Sequence, residues 1–346
     1  MNLSPDQAAA YDRLREFVTA PRVARPYVVM HGWAGCGKTT ILAALAREYP
    51  SMMLTAFTGK AASVLRRKVD LPVSTVHSAI YRFTGLDEDD QPTFHPKGDR
   101  LPDRMIAIDE CGFINTIIAR DVLATGARVL ACGDPGQLPP VSGSPFFTEA
   151  DVTLTEIHRQ ALNSAVLRQA HQVRTAGRYE ADGNDFRVVA RAAPEDLLAA
   201  DMLLCWRNRT RVRLNAKKRL LLGRSGFLRA GEPIMCLRND HRVGVLNGAV
   251  YPLLADATSR MVYVDGERGP VRVEPAIVEG DPSFERYRND DTYTPFAPGY
   301  AATVHKSAGS EWNSVLVIDE GAEDWQRHMY TAITRAAELC VVVDAR

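Results

Sequence analysis

The sequence predicts an α/β protein of two domains, each built on a parallel sheet with helices on its faces. Three observations predict it. Short apolar runs that read as buried strands alternate with longer stretches of helical spacing. A glycine-rich turn, Gly32-Trp33-Ala34-Gly35-Cys36-Gly37-Lys38-Thr39, stands where a strand feeds a helix. The rhythm is interrupted twice, at about 81–104 and 226–288, by segments dense in turn residues.

The elements follow in order. Ser4 before Pro5-Asp6-Gln7 is a helix cap with proline at the first helical position, and the helix is expected to run through Phe17. Pro21 to Pro26 ends it. Tyr27–Met30 is a short strand leading into the glycine turn, Lys38–Tyr49 a helix, Met52–Thr55 a strand and Lys60–Lys68 a helix. From Tyr81 to Arg104, Gly85, Pro92, Pro96, Gly98 and Pro102 surround the acidic run Asp87-Glu88-Asp89-Asp90, which suggests a hairpin or an irregular arm. Strands resume at Met105 and at Val129–Cys132. The second domain is expected to open near Asp151, giving domains of 1–150 and 151–346. Met202–Trp206 reads as a strand and Thr210–Leu222 as a basic helix. Turn chemistry at Gly231-Glu232-Pro233, Asn239-Asp240, Asn247-Gly248 and Asp265-Gly266 predicts a small β-barrel inserted at 226–288. Val315–Asp319 and Leu339–Val343 return to buried parallel strands.

Composition narrows the class. Lys+Arg and Asp+Glu are 42 each among 346 residues, so a nucleic-acid surface would have to come from local segregation of charge. The densest basic cluster is Arg207, Arg209, Arg211, Arg213, Lys217, Lys218 and Arg219; it fits such a surface or a solvated helix face. Cys36, Cys111, Cys132, Cys205, Cys236 and Cys340 include no Cys-x-x-Cys pair and sit mostly in apolar runs, as buried free thiols do in a reducing compartment. The first residues lack a signal pattern, and no apolar run approaches the roughly 20 residues of a membrane span. A soluble, intracellular protein is expected, with no membrane partner.

The chemistry lies in the motifs. Gly32 to Thr39 fits Gly-x4-Gly-Lys-Thr between a strand and a helix. Backbone N–H groups around Gly32, Gly35 and Gly37 and the helix start with Thr39-Thr40 suit a polyphosphate. Lys38 would pair with the β/γ-phosphates of ATP, and Thr39 would hold Mg²⁺. Asp109-Glu110 ends an apolar strand, on the sheet edge where the phosphate loop lies. There Asp109 suits Mg²⁺ and Glu110 suits activation of the attacking water. Gly133-Asp134-Pro135-Gly136-Gln137 follows the next strand. The amide of Gln137 can bond both the γ-phosphate and water, and so can sense hydrolysis, with Leu138-Pro139-Pro140 as a rigid exit.

The ordered series, completed by Thr303-Val304-His305-Lys306-Ser307-Ala308-Gly309 and Tyr330-Thr331-Ala332-Ile333-Thr334-Arg335, resembles the superfamily-one helicases of the 5′→3′ class, in their RecD-like and Dda-like branch. The resemblance covers nearly the whole chain. It implies two RecA-like lobes with one ATP between them, a small insertion in the first and an SH3-like barrel in the second. It also implies a set of roles. Gln7 would read adenine. Phe57, Thr58 and Lys60, then Thr75 and His77, would contact DNA. Arg159, in Leu154-Thr155-Glu156-Ile157-His158-Arg159-Gln160, and Arg335 would reach the phosphates and stabilise the transition state. Thr303, His305 and Lys306 would face the strand's phosphates, and Glu311 the ribose. Phe83, Phe94 and His95 stand where such enzymes carry a strand-separating pin. Two departures are visible: Ala308 replaces the usual glutamine, and Gly112-Phe113 replace Ser and Met after Asp109-Glu110.

The expected function is ATP-driven 5′→3′ movement on single-stranded DNA with separation of forked duplex, in the cytoplasm of a bacterium or a phage-infected cell. Replication or repair proteins would be its further partners. The alternatives are a translocase or remodeller with weak unwinding, suggested by Ala308 and the short pin segment, and a non-motor P-loop module. The last leaves Arg159, Arg335 and Thr303–Gly309 without a use.

Overall fold

The computed structural model describes residues 3–21, 24–86, 92–98, 101, 104–140, 143–156, 163–240, 242–266 and 269–346, and of residues 83–86 and 92–94 it describes the backbone. The chain forms two compact units, 1–179 with 326–334, and 180–325 with 335–346. The division falls at 179/180 rather than near 150, and a late segment returns to the first unit.

In the first unit α1 (Pro5–Thr19), β1 (Tyr27–Gly32), α2 (Lys38–Glu48), β2 (Met52–Ala56), α3 (Gly59–Val69), β3 (Val73–Thr75) and α4 (Val76–Ile80) follow in turn. The antiparallel pair β4 (Tyr81–Leu86) and β5 (Pro92–Pro96) comes next. Then come β6 (Met105–Asp109), α5 (Thr116–Ala124), β7 (Arg128–Gly133), β8 (Val152–Leu154) and α6 (Ala165–Ala176). Six strands make one parallel sheet in the order β3-β2-β6-β7-β1-β8. Its central strands are apolar along their length because both faces are covered. Val28, Met30, Ala107, Leu130 and Cys132 join one core cluster, while Val29, Ile106, Ile108, Val129 and Ala131 join the other, the period-two alternation of a strand between two helix layers. Helix starts are capped locally. Ser4 and Gln7 form a reciprocal capping box, and Thr58 and Thr75 accept the N–H groups of Ala61 and Ser78. The hairpin expected from the turn-rich segment is present, with Phe83 opposite Phe94.

The boundary differs from the sequence reading because β8 pairs with β1, Met30 beside Val152 and Gly32 beside Leu154. That pairing holds the stretch after Asp151 in the first unit.

The second unit contains β9 (Phe186–Val189), α7 (Pro194–Ala199), β10 (Met202–Cys205), α8 (Asn208–Leu221), β11 (Pro233–Cys236), β12 (Val250–Pro252), β13 (Val262–Gly266), β14 (Gly269–Val273), β15 (Ala276–Val278), α9 (Phe284–Tyr287), β16 (Thr294–Pro298), β17 (Ala301–Thr303) and β18 (Trp312–Asp319). Helix α10 (Trp325–Ile333) and strand β19 (Ala336–Asp344) end the chain. A parallel sheet runs β17-β10-β18-β19-β9. The turn-rich insertion forms a second sheet, β12-β11-β16-β15, with the hairpin β13-β14, around its own core of Ile234, Cys236, Val262, Val264 and Phe296. It therefore extends to Pro298, ten residues beyond the Arg288 expected.

The basic cluster of α8 divides. Arg207, Arg209, Arg213 and Lys217 are exposed. Arg211 is buried in a bidentate pair with Glu279, and Lys218 is buried and donates to the Ala200 carbonyl. Arg219 reaches Glu232 through Nε at 2.9 Å and Nη2 at 3.2 Å. Three of its seven charges thus serve the interior of this unit.

Glu232 is fully buried and also accepts from the Arg229 N–H at 2.8 Å and the Tyr300 hydroxyl at 3.1 Å. Burial alone would raise its pKa, but the bonds from Arg219, Arg229 and Tyr300 outweigh it and hold the carboxyl below its ordinary value. A depressed native pKa means that the unfolded chain binds the proton more tightly. The stabilisation is full above the unfolded value near 4.5 and is lost as pH falls through the lower native one. Glu232→Ala is expected to destabilise the second unit by about 3–5 kcal/mol at neutral pH, since it leaves Arg219, whose side chain is 13% exposed, and the buried Tyr300 hydroxyl without their carboxylate. Urea unfolding of both proteins at neutral and acid pH checks this. The gap should narrow in acid, and a gap of equal size at both would remove the charge from the explanation.

Among the described residues, no helix is long and apolar enough to cross a membrane. All six cysteines are buried free thiols, as their apolar settings predict.

Candidate nucleotide site and nucleic-acid interface

The carboxyl edge of the first sheet gathers the motifs. Strand β1 ends in the phosphate loop, β6 in Asp109, β7 in Gly133, β2 beside Phe57, and β3 in Thr75. The register sets Ala56 level with both Asp109 and Thr75, and His31 level with Gly133. Residues from five segments of sequence therefore share one edge, where α/β sheets bind ligands.

The phosphate loop is held in shape on several sides. Gly35 and Gly37 take φ of 84° and 82°, open to glycine without strain. A Cβ on Gly32 would lie 2.5 Å from the Cys36 sulfur. The Gln7 amide donates to the Cys36 carbonyl at 3.1 Å. His171 on α6 bonds the Ala34 carbonyl through Nε2 at 3.1 Å, which makes Nε2 the protonated nitrogen. Burial lowers the His171 pKa, so the ring is neutral in this contact. The Arg174 guanidinium lies 3.6 Å from the Trp33 ring centroid, a cation–π contact to a loop residue. The fully buried Tyr330 accepts the Ala34 N–H at 2.9 Å and donates to Asp134 Oδ2 at 2.6 Å.

Lys38 folds back over this loop, and its ammonium donates to the carbonyls of Gly32 at 2.7 Å and Trp33 at 3.0 Å. Burial opposes its charge. Asp134, the Cys36 and Cys132 thiols and Asp109 outweigh burial, and the pKa lies above the ordinary lysine value. The cation is thus held charged at the mouth of the loop. Asp109 Oδ1 accepts the Glu110 N–H at 3.0 Å, and burial raises its pKa against the pull of Lys38. A divalent cation would relieve that burial, and carboxylate and hydroxyl oxygens are the donors Mg²⁺ takes. Glu110 has φ of 57°, a left-handed conformation that is strained for a glutamate and common at functional sites.

The turn after β7 is equally ordered. Asp134 Oδ1 accepts the Gly136 N–H at 2.9 Å, and Gln137 N–H reaches the Asp134 carbonyl at 3.2 Å. Leu138 N–H donates to Thr331 Oγ1 at 3.0 Å. Gln137 lines a cleft of about 130 Å³ with His31, Gly112, Phe147 and Arg327. A Cβ on Gly112 would meet only the Asp134 carbonyl oxygen, at 4.0 Å, so the turn leaves space there for a side chain. Phe113 stacks on Phe57, with ring centroids 6.1 Å apart and planes 18° apart, so the phenylalanine of the unusual Gly112-Phe113 pair has a packing use here.

The residues expected to meet DNA fall into two groups. Phe57 is half-buried between Phe113 and His77, partly core and partly available to a base. Thr58 and Thr75 are helix caps, so their hydroxyls already serve backbone N–H groups; Lys60 is half-buried in the first turn of α3. In the second unit Thr303 is buried at the end of β17, and His305 and Lys306 are half-buried. Lys306 is turned toward the inserted sheet and donates to Asn247 Oδ1 at 2.8 Å. The Asn247-Gly248 turn stands beside it and supplies that acceptor. Ser307, beside Ala308, is buried and donates internally to the Val304 carbonyl at 2.7 Å. Arg335 is also buried and donates to the Ser310 carbonyl at 3.2 Å, while Glu311 is exposed. His95 is exposed. Arg159 and the side chains of Phe83 and Phe94 lie outside the described residues.

Sequence reasoning assigned no role to Trp33, Asp134, His171, Arg174 or Tyr330. Asp134 and Tyr330 stood inside the quoted motifs, and an acid and a tyrosine in two nucleotide motifs were the available signal. His171 and Arg174 carried none, because ordinary helix positions bring them to the loop.

Comparison with known proteins places these motifs in a family. Residues 2–188 match the AAA domain model and residues 298–343 the UvrD-like helicase C-terminal domain. The chain belongs to the AAA-domain family. It is 27% identical to the ATP-dependent RecD2 DNA helicase of Deinococcus radiodurans over 376 aligned positions, covering 97% of this chain and 48% of that protein. A conjugal transfer protein TraA of Rhizobium radiobacter is 29% identical, with 97% and 32% covered. The chain thus spans about half the length of the first relative and about a third of the second. Among solved structures, a Pif1 helicase studied at forked duplex DNA matches with a TM-score of 0.66 at 19% identity, covering 99% of this chain and 92% of that one. A Bacteroides Pif1 bound to single-stranded DNA matches at 0.64 and 18%, with 99% and 92% covered. These likenesses show a Pif1-like two-lobed α/β fold with parallel sheets, and the RecD-like resemblance of the motifs agrees with them.

Proposed function

We propose that this chain is an ATP-dependent 5′→3′ DNA helicase, which tracks along single-stranded DNA and separates forked duplex. The observation that carries the reading is the shared sheet edge. It sets the phosphate loop, Asp109-Glu110 and the Gly133–Gln137 turn next to the aromatic pair Phe57 and His77. Lys38, Gly32, Gly35, Gly37, Thr39 and Thr40 hold the ATP phosphates. Asp109 and Thr39 hold Mg²⁺, which would supply charge neutralisation on the phosphate oxygens. Glu110 takes a proton from the attacking water as its oxygen bonds to the γ-phosphorus and the bond to ADP breaks. Gln137 senses the γ-phosphate. Arg159 and Arg335 supply transition-state cations, which for Arg335 means leaving the Ser310 carbonyl.

The N-terminal Gln7 reads adenine by exchanging its contact with Cys36. Thr303, His305 and Lys306 meet the DNA backbone, with Lys306 exchanging Asn247 for a phosphate. Glu311 approaches the ribose. The inserted sheet and hairpin at 226–298 form an SH3-like module. The hairpin at 81–96, with Phe83, Phe94 and His95, separates strands. RecD2 is named as an ATP-dependent DNA helicase, and the Pif1 relatives as proteins of single-stranded and forked DNA, which supports these substrates. Replication or repair proteins are the partner class such an activity serves.

A second reading, a translocase with weak unwinding, is favoured by Ala308, which cannot make the hydrogen bonds of the family's glutamine.

Binding to an unstructured oligonucleotide tests the DNA half of the proposal. Affinity is expected to fall about 10- to 100-fold between roughly 50 and 200 mM salt as counterions are released from a few phosphate contacts, with little dependence on base sequence. Fluorescence anisotropy over that range measures it. A salt-insensitive affinity, or strong preference for one short sequence, speaks against a tracking motor.

A further inference from the structure

The Tyr330 hydroxyl lies in the first unit, between the phosphate loop and the turn that carries Gln137. It accepts the Ala34 N–H at 2.9 Å and donates to Asp134 Oδ2 at 2.6 Å, while Asp134 Oδ1 holds the Gly136 N–H at 2.9 Å. The next residue, Thr331, accepts the Leu138 N–H at 3.0 Å. Two consecutive side chains of α10 therefore grip both ends of the Asp134–Leu138 turn, and one of them also grips the phosphate loop. The packing is close: a Cβ on Gly136 would lie 3.0 Å from the Tyr330 ring and 3.1 Å from Arg174. Tyr330 is fully buried and Asp134 is 6% exposed, so water does not compete for these bonds.

We infer that Tyr330 is a positioning residue that locks the phosphate loop to the Gln137 turn, so that a change at the nucleotide moves the turn and α10 together. The inference rests on the reading of the chain as a DNA-stimulated ATPase and adds the route by which its loop and turn act as one body. The neutral hydroxyl has the two roles the junction needs, accepting from the loop amide and donating to the carboxylate. Phenylalanine keeps the ring and loses both. Tyr330 touches no reacting atom, so its removal should leave nucleotide binding in place while hydrolysis suffers. The rigid turn that presents Gln137 matters most in the transition state.

The test compares the wild-type chain, Tyr330→Phe, Asp134→Asn and the double variant. It measures single-stranded-DNA-stimulated ATP turnover, affinity for a fluorescent ATP analogue, and thermal unfolding by circular dichroism. For Tyr330→Phe, kcat is expected to fall about 10- to 100-fold, the rate equivalent of one buried hydrogen bond to a charged group, with nucleotide affinity within about twofold. The double variant should be no worse than the poorer single one, because both break one chain of bonds. Turnover within about twofold of wild type in folded Tyr330→Phe overturns the inference. So do additive losses, or equal losses of affinity and turnover. If Tyr330→Phe does not fold, Thr331→Val, which keeps the shape and removes the acceptor of the Leu138 N–H at the other end of the same turn, decides by the same split between affinity and turnover. A wild-type chain without DNA-stimulated turnover overturns the helicase reading itself, which separates the two failures.

Discussion

Lys38→Ala is expected to abolish ATP turnover, with a loss of at least about 10²–10³-fold, the scale set by removing one preorganised charge from a transition state. The wild-type ammonium is held at the mouth of the phosphate loop by the Gly32 and Trp33 carbonyls, and Asp134 and Asp109 keep it charged despite burial. A polyphosphate offers it far stronger acceptors than two carbonyls, and the need is greatest as charge shifts to the leaving oxygen. The same geometry predicts a folded variant. The loop keeps its contacts from Gln7, His171 and Tyr330, none of which involves the lysine, and alanine is an excellent helix former at the start of α2. DNA-stimulated phosphate release, measured beside a thermal melt, checks both halves. Near-normal turnover in the folded variant would remove the phosphate-loop assignment, and with it the basis for an ATP-driven motor.

Glu110→Gln is the second large effect. Glutamine matches glutamate in size and fits the same left-handed backbone at the end of β6, but cannot accept the proton from water. Hydrolysis is expected to fall about 10²–10⁴-fold, the range for losing a positioned general base. Binding of ATP and of single-stranded DNA should persist, giving a protein that holds both ligands and turns over very slowly. Rapid-quench measurement of the chemical step, alongside equilibrium binding, separates the two. Normal hydrolysis would move water activation to another group, and parallel loss of binding would make Glu110 a structural residue.

The alternation of strands and helices, the capped helix starts and the glycine loop were legible because each is written within a few residues of sequence. The hairpin and the inserted sheet announced themselves through their turns. What could not be read was pairing over long distances. Strand β8 is three residues long and belongs beside β1 only because Met30 meets Val152, so the domain boundary moved to 179/180. Tyr330 acts on Ala34 and Asp134 across 296 and 196 positions, and no local pattern records such a meeting. Lys306 was read as a phosphate ligand from its motif, and its chemistry permits that role; the nearby Asn247 acceptor became visible only in three dimensions. The basic run of α8 likewise gave no sign that Arg211, Lys218 and Arg219 have internal partners while their neighbours are exposed.

The central claim, ATP-driven 5′→3′ movement on single-stranded DNA, is tested most directly by unwinding of two duplexes that differ only in the polarity of one single-stranded tail. The account predicts strand separation from the 5′-tailed duplex in the presence of ATP and Mg²⁺, none from the 3′-tailed duplex, and none from either with the Lys38→Ala protein. Separation from the 3′ tail alone would contradict the assigned direction. ATP hydrolysis indifferent to DNA, with neither duplex opened, would contradict the motor.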